Sequence, residues 1–149
     1  MTSDELRKIF NQKKQKIDVK TLKFTAGFVN TKFSEFQSWF KMEEFSKGCH
    51  YCGTSNEKSF ELYQMQRTGL RPDATRGGKR GKRLELDRKD PFKSYDDLEN
   101  VVWCCYWCNN AKSNFFTAEE FMPVAQAIGK AISKIKEGTA DSLGVRIEL

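Results

Sequence analysis

Histidine is nearly absent from this chain: its 149 residues include one, His50. Chemistry that needs an imidazole base therefore rests on that single residue. There are three prolines, and no cysteine precedes position 49. No apolar run approaches the roughly 20 residues of a membrane-spanning helix, so no membrane partner is expected. The first residues, MTSDELRKIF, are charged from the fourth position, unlike a secretory signal. The expectation is an intracellular, cytoplasmic protein, associated with the nucleoid.

Aromatic residues make up 13% of the chain, with 12 Phe, and hydrophobic residues 38%. That suffices for the core of one domain, with or without an accessory arm, but a small core gains from a metal staple. The net charge is +6 and is unevenly placed. Between Arg67 and Lys89 nine basic residues face three acids, an excess equal to the whole net charge. Arg76, Lys79, Arg80, Lys82 and Arg83 form the densest part, in a glycine-rich loop. Such a patch selects a polyanion, and double-stranded DNA is the expected partner.

Four of the five cysteines form two Cys-x-x-Cys pairs: Cys49 with Cys52, and Cys105 with Cys108. In a reduced compartment this favours metal over disulfides. A two-residue gap turns both sulfurs toward one ion, and two such turns supply the four thiolates of a structural zinc site. Only Cys105 keeps that gap to Cys108; Cys104 is left over. Four thiolates leave no open coordination position, so this Zn²⁺ is structural rather than catalytic.

Local patterns predict a helix over residues 4–16, a strand-like run over 19–30, and a helix from Ser34 through Phe45. A zinc knuckle follows over 48–53, then a helix from Ser55 ending near Gly69. Short strands are expected over Leu84–Asp87 and Asn100–Trp103, and a helix carrying Asn109 and Lys112 after the second knuckle. Thr117 to Glu120 fits a capping box ahead of an apolar helical stripe from Phe121 to Ile135. Pro123 suggests that the main helix starts there. Residues 138–149 read as a tail ending in a strand. Trp103, Tyr106 and Trp107 are expected to pack around the second knuckle.

Phosphodiester hydrolysis asks little of a protein: oxygen ligands for a divalent ion, a group to orient water, and a cation for the phosphoryl oxygens. Asp87, ending the first strand, and Asn109, on the helix after the knuckle, supply two oxygens suited to Mg²⁺ or Mn²⁺.

The run from residue 84 to 114 resembles the HNH, or ββα-metal, endonuclease family, and the upstream knuckle extends the likeness to 49–114. Asp87-Arg88 stands where the family has Asp-His. Asn100 stands at the central Asn, which the resemblance assigns to bracing the loop between the strands. Asn109 stands at the final His or Asn, a metal ligand, and Lys112 matches a Lys three residues on, expected to join Arg76, Lys79, Arg80, Lys82 and Arg83 among the DNA contacts. The segment Cys105 to Asn114 is similar to small, rare-cutting HNH restriction endonucleases, in which an Arg also follows the metal-binding Asp. The resemblance implies a homodimer cutting a palindromic site. Such enzymes can carry another knuckle near the N-terminus, which residues 1–48 cannot build.

Arg88 at the base position cannot accept a proton near neutral pH. Three outcomes follow: Arg88 grips phosphate with the water activated otherwise, His50 or Tyr51 of the first knuckle replaces the base, or the site only binds DNA. The expected fold is thus α+β, a hairpin plus helix stapled by four cysteines and flanked by terminal helices. Its expected parts are a DNA-binding or dimerisation arm at 1–48, a nuclease core at 49–116, and a helix and tail at 117–149. The expected function is a metal-dependent DNA endonuclease, with restriction favoured. Homing or phage-type nicking, RNA cleavage and an inactive DNA-binding module are the rivals.

Overall fold

The computed structural model describes residues 1–74 and 78–136. Arg76 and the expected C-terminal strand lie outside the described residues. The order is α1 (Ser3–Lys13), α2 (Phe33–Trp39), α3 (Met42–Ser46), α4 (Asn56–Arg67), β1 (Glu85–Arg88), a 3-10 turn (Leu98–Asn100), β2 (Val101–Cys104), α5 (Tyr106–Lys112) and α6 (Ala118–Ser133). This is a mixed helical fold around a small antiparallel sheet of two strands.

The helix starts are chemically legible. Thr2 and Glu5 form a capping box for α1, Ser55 caps α4 through the Lys58 amide, and Thr117 with Glu120 boxes α6. Each satisfies amides that a first turn leaves unpaired. Pro123 does not delay α6, which begins at Ala118. The reciprocal cap and the burial of Phe121 outweigh one interior proline.

Two further sequence expectations change. The 19–30 run is not a strand of a sheet. Asp18 Oδ1 accepts from the amides of Lys20 and Thr21, closing a turn inside the run. The chain folds back on itself, with isolated bridges Ile17↔Phe24 and Lys14↔Phe28. The helix expected from Ser34 to Phe45 is broken into α2 and α3, with Phe40 extended between them. A continuous helix would turn Phe45 away from Trp39 and Phe40. Broken, all three rings reach Trp103, at centroid distances of 5.0 Å for Phe45, 6.0 Å for Trp39 and 6.1 Å for Phe40.

One apolar cluster runs from Leu6, Ile9 and Phe10 on α1 through Phe28, Phe36 and Trp103 to Phe121 and Ile132 on α6. Phe36 and Phe121 are fully buried; truncating either to Ala would cost about 3–5 kcal/mol. The arm therefore packs into the same core as the hairpin. Gly129 of α6 lies against the first knuckle, where an added Cβ would meet the Cys52 carbonyl oxygen at 3.0 Å.

Candidate metal and nuclease site

The hairpin sets the register: Glu85 faces Cys104, Leu86 faces Trp103, Asp87 faces Val102 and Arg88 faces Val101. The first knuckle joins this sheet, its His50 amide donating to the Trp103 carbonyl at 2.8 Å. Cys105 caps α5, its sulfur accepting from the Cys108 amide at 3.4 Å. Local backbone pairing thus carries both Cys-x-x-Cys turns to one point.

There the Sγ atoms of Cys49, Cys52, Cys105 and Cys108 lie within 4.8 Å of one another, and those of Cys52 and Cys105 are 3.6 Å apart. A tetrahedral zinc with Zn–S near 2.3 Å requires sulfur separations of about 3.8 Å, so the cluster fits that ion. Hydrogen bonds from Cys105 and Cys108 pull the Cys49 thiol down to about 7. Cys104 stays outside the cluster, buried at the sheet, and burial raises its thiol pKa.

Beside the sulfurs, Asp87 is buried at the end of β1. Its Oδ2 accepts from the Tyr51 hydroxyl at 2.7 Å and pairs with Lys112 Nζ at 3.2 Å. Lys112 also donates to the Arg88 carbonyl at 2.7 Å. This corrects one expectation: Lys112 is 1% exposed, so its ammonium serves Asp87 and cannot meet DNA at the surface. A lysine can be buried so deeply only when paired.

Asn109 is hydrogen-bonded to Glu85 rather than to Asp87. Its Nδ2 donates to Glu85 Oε2 at 2.8 Å. Glu85 sits two residues before Asp87, so both carboxylates leave the same face of β1, toward α5. Sequence reasoning overlooked Glu85; the alternation in Leu-Glu-Leu-Asp was the available signal. It also overlooked Lys13 at the end of α1. That lysine shares a cleft with Glu85 and Asn109, and its Nζ lies 4.1 Å from the Tyr95 ring centroid. Burial lowers the Lys13 pKa, opposed by the charges of Asp87 and Glu85.

Arg88 turns the other way. Its guanidinium donates to the Lys93 carbonyl and to Asn114 Oδ1, both at 3.1 Å, and lies 5.0 Å from the Tyr95 centroid. Asn100 spans the loop between the strands: its Oδ1 accepts from the Asp90 amide at 2.9 Å, and its Nδ2 donates to the Asp90 carbonyl at 3.0 Å. Tyr51 is the knuckle residue that reaches Asp87. Burial, and then the Asp87 charge, push its phenol well above the usual range. His50 stands exposed, its ring edge-on to Tyr51 at 5.2 Å. Desolvation and then nearby Lys89 lower its pKa.

Trp103 and Tyr106 are buried and Trp107 half-buried around the second knuckle. Lys79, Arg80, Lys82 and Arg83 line a broad groove between α1 and α4 that reaches Glu85. Among the described residues, no helix is long and apolar enough to cross a membrane.

No protein-family model matches the chain, and no curated protein does. A solved structure that it resembles is that of the rare-cutting HNH restriction endonuclease PacI, described as exhibiting a mechanism of DNA perturbation. The two share 28% identity with a TM-score of 0.53, over 70% of this chain and 66% of the other. The chain thus spans just under two thirds of the length of that relative. Motif and fold agree, and the chain resembles the HNH endonucleases, with a rare-cutting restriction enzyme as a structural neighbour.

Proposed function

We propose that this protein is a metal-dependent DNA endonuclease, acting as a sequence-specific restriction enzyme of type II and working as a homodimer. The observation that carries the reading is Asp87: a carboxylate buried at a strand end, clasped by Tyr51 of one knuckle and Lys112 of the helix after the other. Burial of a charged group is costly unless it is paired, and two separate chain segments converge to hold this one.

Zinc on the four sulfurs would be structural. A Mg²⁺ or Mn²⁺ ion held by Asp87 and by Asn109 Oδ1 would neutralise charge at the scissile phosphate and its leaving oxygen. The protein's own groups do the rest. Glu85 holds the Asn109 nitrogen and so turns its oxygen away, as a carboxylate partner orients a metal-ligating histidine. Asn100 fixes the loop that follows the catalytic strand. Tyr51 steadies the Asp87 carboxylate through its hydroxyl, which leaves the group that takes the water's proton unassigned, and His50 lies on the outer side. Arg88 reaches the phosphate by exchanging its contacts with Lys93 and Asn114. Residues 1–48 and the basic loop supply DNA contacts, 49–116 the chemistry, and 117–149 the closing helix.

A second reading also has an observation in its favour. Asp87 and Asn109 are already satisfied by protein partners, as in an inactive DNA-binding module. Plasmid cleavage with Mg²⁺ or Mn²⁺ separates the two when wild type is compared with Asp87→Asn. Recurring discrete fragments from wild type alone support restriction. Nicking alone, or a single rare long site, favours the phage or homing rival. Equal gel shifts with no cleavage by either protein would establish the binding module, and preferential cutting of RNA would replace the DNA assignment.

A further inference from the structure

The fold-back that replaced the expected strand has no role in the chemistry above, yet it is built with care. Its base is pinned twice. Gln15 donates to the Phe28 carbonyl at 2.9 Å and Phe28 to the carbonyl of Lys13, the lysine that shares a cleft with Glu85, at 3.0 Å. Gly27 permits this closure, since an added Cβ would lie 2.1 Å from the Lys13 carbonyl oxygen. On the return side, the Asp96 carboxylate accepts from the amides of Val29, Asn30 and Thr31 and from the Thr31 hydroxyl. Asp96 lies in the loop between β1 and β2, so the finger is tied directly to the hairpin that carries Asp87.

What this finger displays is unusual for a surface. Ile17, Val19, Leu22 and Phe24 are 56%, 87%, 80% and 69% exposed. Single exposed apolar residues are ordinary, but a cluster calls for a partner. Leu22, near the tip, has φ +55°. A leucine in the left-handed region is uncommon and strained, and here no packing of its side chain offsets the cost. Before and between the apolar residues stand Lys14, Lys16, Lys20 and Lys23, all exposed. The one acid, Asp18, has its carboxylate committed to the turn amides.

Charge selects the occupant. Four lysines around an apolar tip fit a polyanion with an apolar interior, which describes base pairs behind phosphates. The finger also continues the basic surface: Arg83 of the loop donates to Gln12 of α1 at 2.6 Å, one residue before Lys13. We propose that residues 14–28 form a wedge that inserts Leu22 or Phe24 between base pairs of duplex DNA near the cut, with the lysines on flanking phosphates. Apolar side chains used this way unstack a base step and deform the helix. The inference rests on the DNA-binding reading proposed for the nuclease site.

The test uses the wild-type full chain in buffer without Mg²⁺ or Mn²⁺, with a topoisomerase that needs neither, so that plasmid is bound without being cut. Closed plasmid is relaxed by a topoisomerase with the protein present, then stripped and resolved. An inserted wedge unwinds the duplex, so the stripped plasmid should be negatively supercoiled. Adding Leu22→Ser and Phe24→Ser should abolish that shift and weaken DNA binding roughly tenfold, the scale of one side chain stacked on a base. The melting curve should stay unchanged, because both side chains are exposed. Replacing Lys16, Lys20 and Lys23 by Gln should flatten the salt dependence by roughly 0.9 for each phosphate no longer neutralised. Unchanged supercoiling and affinity in the Leu22/Phe24 variant overturn the wedge while leaving the DNA reading intact. A parent protein that binds no plasmid at low salt overturns both. Conversion of a dimer to a monomer in sedimentation by the Leu22/Phe24 substitutions overturns the wedge in favour of a contact between copies of this chain.

Discussion

The knuckle side and the finger side of this protein use their residues in opposite ways. Around the four sulfurs nearly every polar group has an internal partner: Asp87 with Tyr51 and Lys112, Asn109 with Glu85, Asn100 with both polar atoms of Asp90's backbone. On the finger, Ile17, Val19, Leu22 and Phe24 face solvent, and Lys14, Lys16, Lys20 and Lys23 make no ion pair among the described residues. The first region is preorganised to hold charge and geometry fixed. The second stays unsatisfied until something covers it. The same chain thus separates rigidity for chemistry from surface for recognition, and the two meet at Lys13 and Asp96.

The strongest way to break this comparison is to remove the staple. Cys105→Ser should abolish the cooperative melting transition, because in small metal domains the metal's binding energy is folding energy. Metal analysis of the purified wild type should find about one zinc per chain; a zinc-free protein with an unchanged melt would show that the cluster is not a metal site. Next in size is the buried pair. Lys112→Met should destabilise the fold by about 3–5 kcal/mol by stranding the Asp87 charge, read from denaturant midpoints. A loss near zero would mean that the pair is not desolvated.

Asn100→Ala should cost about 1–3 kcal/mol by leaving the Asp90 backbone groups without partners, and it should slow cleavage with little change in DNA affinity. Equal losses in both would place Asn100 in binding instead. A subtler effect concerns Glu85. If it sets the orientation of the Asn109 amide, Glu85→Gln should weaken activation by Mn²⁺, and Asn109→Asp should relieve that defect because either of its oxygens suffices.

The smallest effect is at the finger base. Desolvation works against ionisation of Asp96, but the Thr31 hydroxyl and the amides of residues 29–31 overcome it and hold the carboxyl below its usual range. A depressed folded pKa contributes stability above the unfolded value, about 4. That contribution is lost as the pH falls through the folded pKa. Amide exchange at 29–31 should therefore show constant protection from neutral pH down to the ordinary aspartate range, after correction for intrinsic rates, and weaken only in stronger acid. Asp96→Asn should remove the protection at all pH values.

Much of the hairpin site is legible in the sequence because its information is local. Two-residue gaps between cysteines, the alternation through Asp87, the caps at Ser55 and Thr117 and the Asn100 position each act over a few residues, and the structure brings the four sulfurs together. Lys112 departs from expectation because a lysine's distance from solvent depends on what covers it, and the cover comes from Tyr51 and β1, far away in sequence. The 19–30 run departs from it because β-type residues there meet a turn set by Asp18 rather than a neighbouring strand.

Taken alone, the sequence determined the caps at Ser55 and Thr117, the four-sulfur cluster and the family likeness, since these follow from short-range chemistry and spacing. Only the tertiary structure decided which groups partner Asp87, which way Arg88 turns, that Glu85 holds Asn109, and that four apolar side chains stand in solvent. Those are outcomes of long-range packing, where the neighbours of a side chain are chosen by the whole fold and not by the residues beside it.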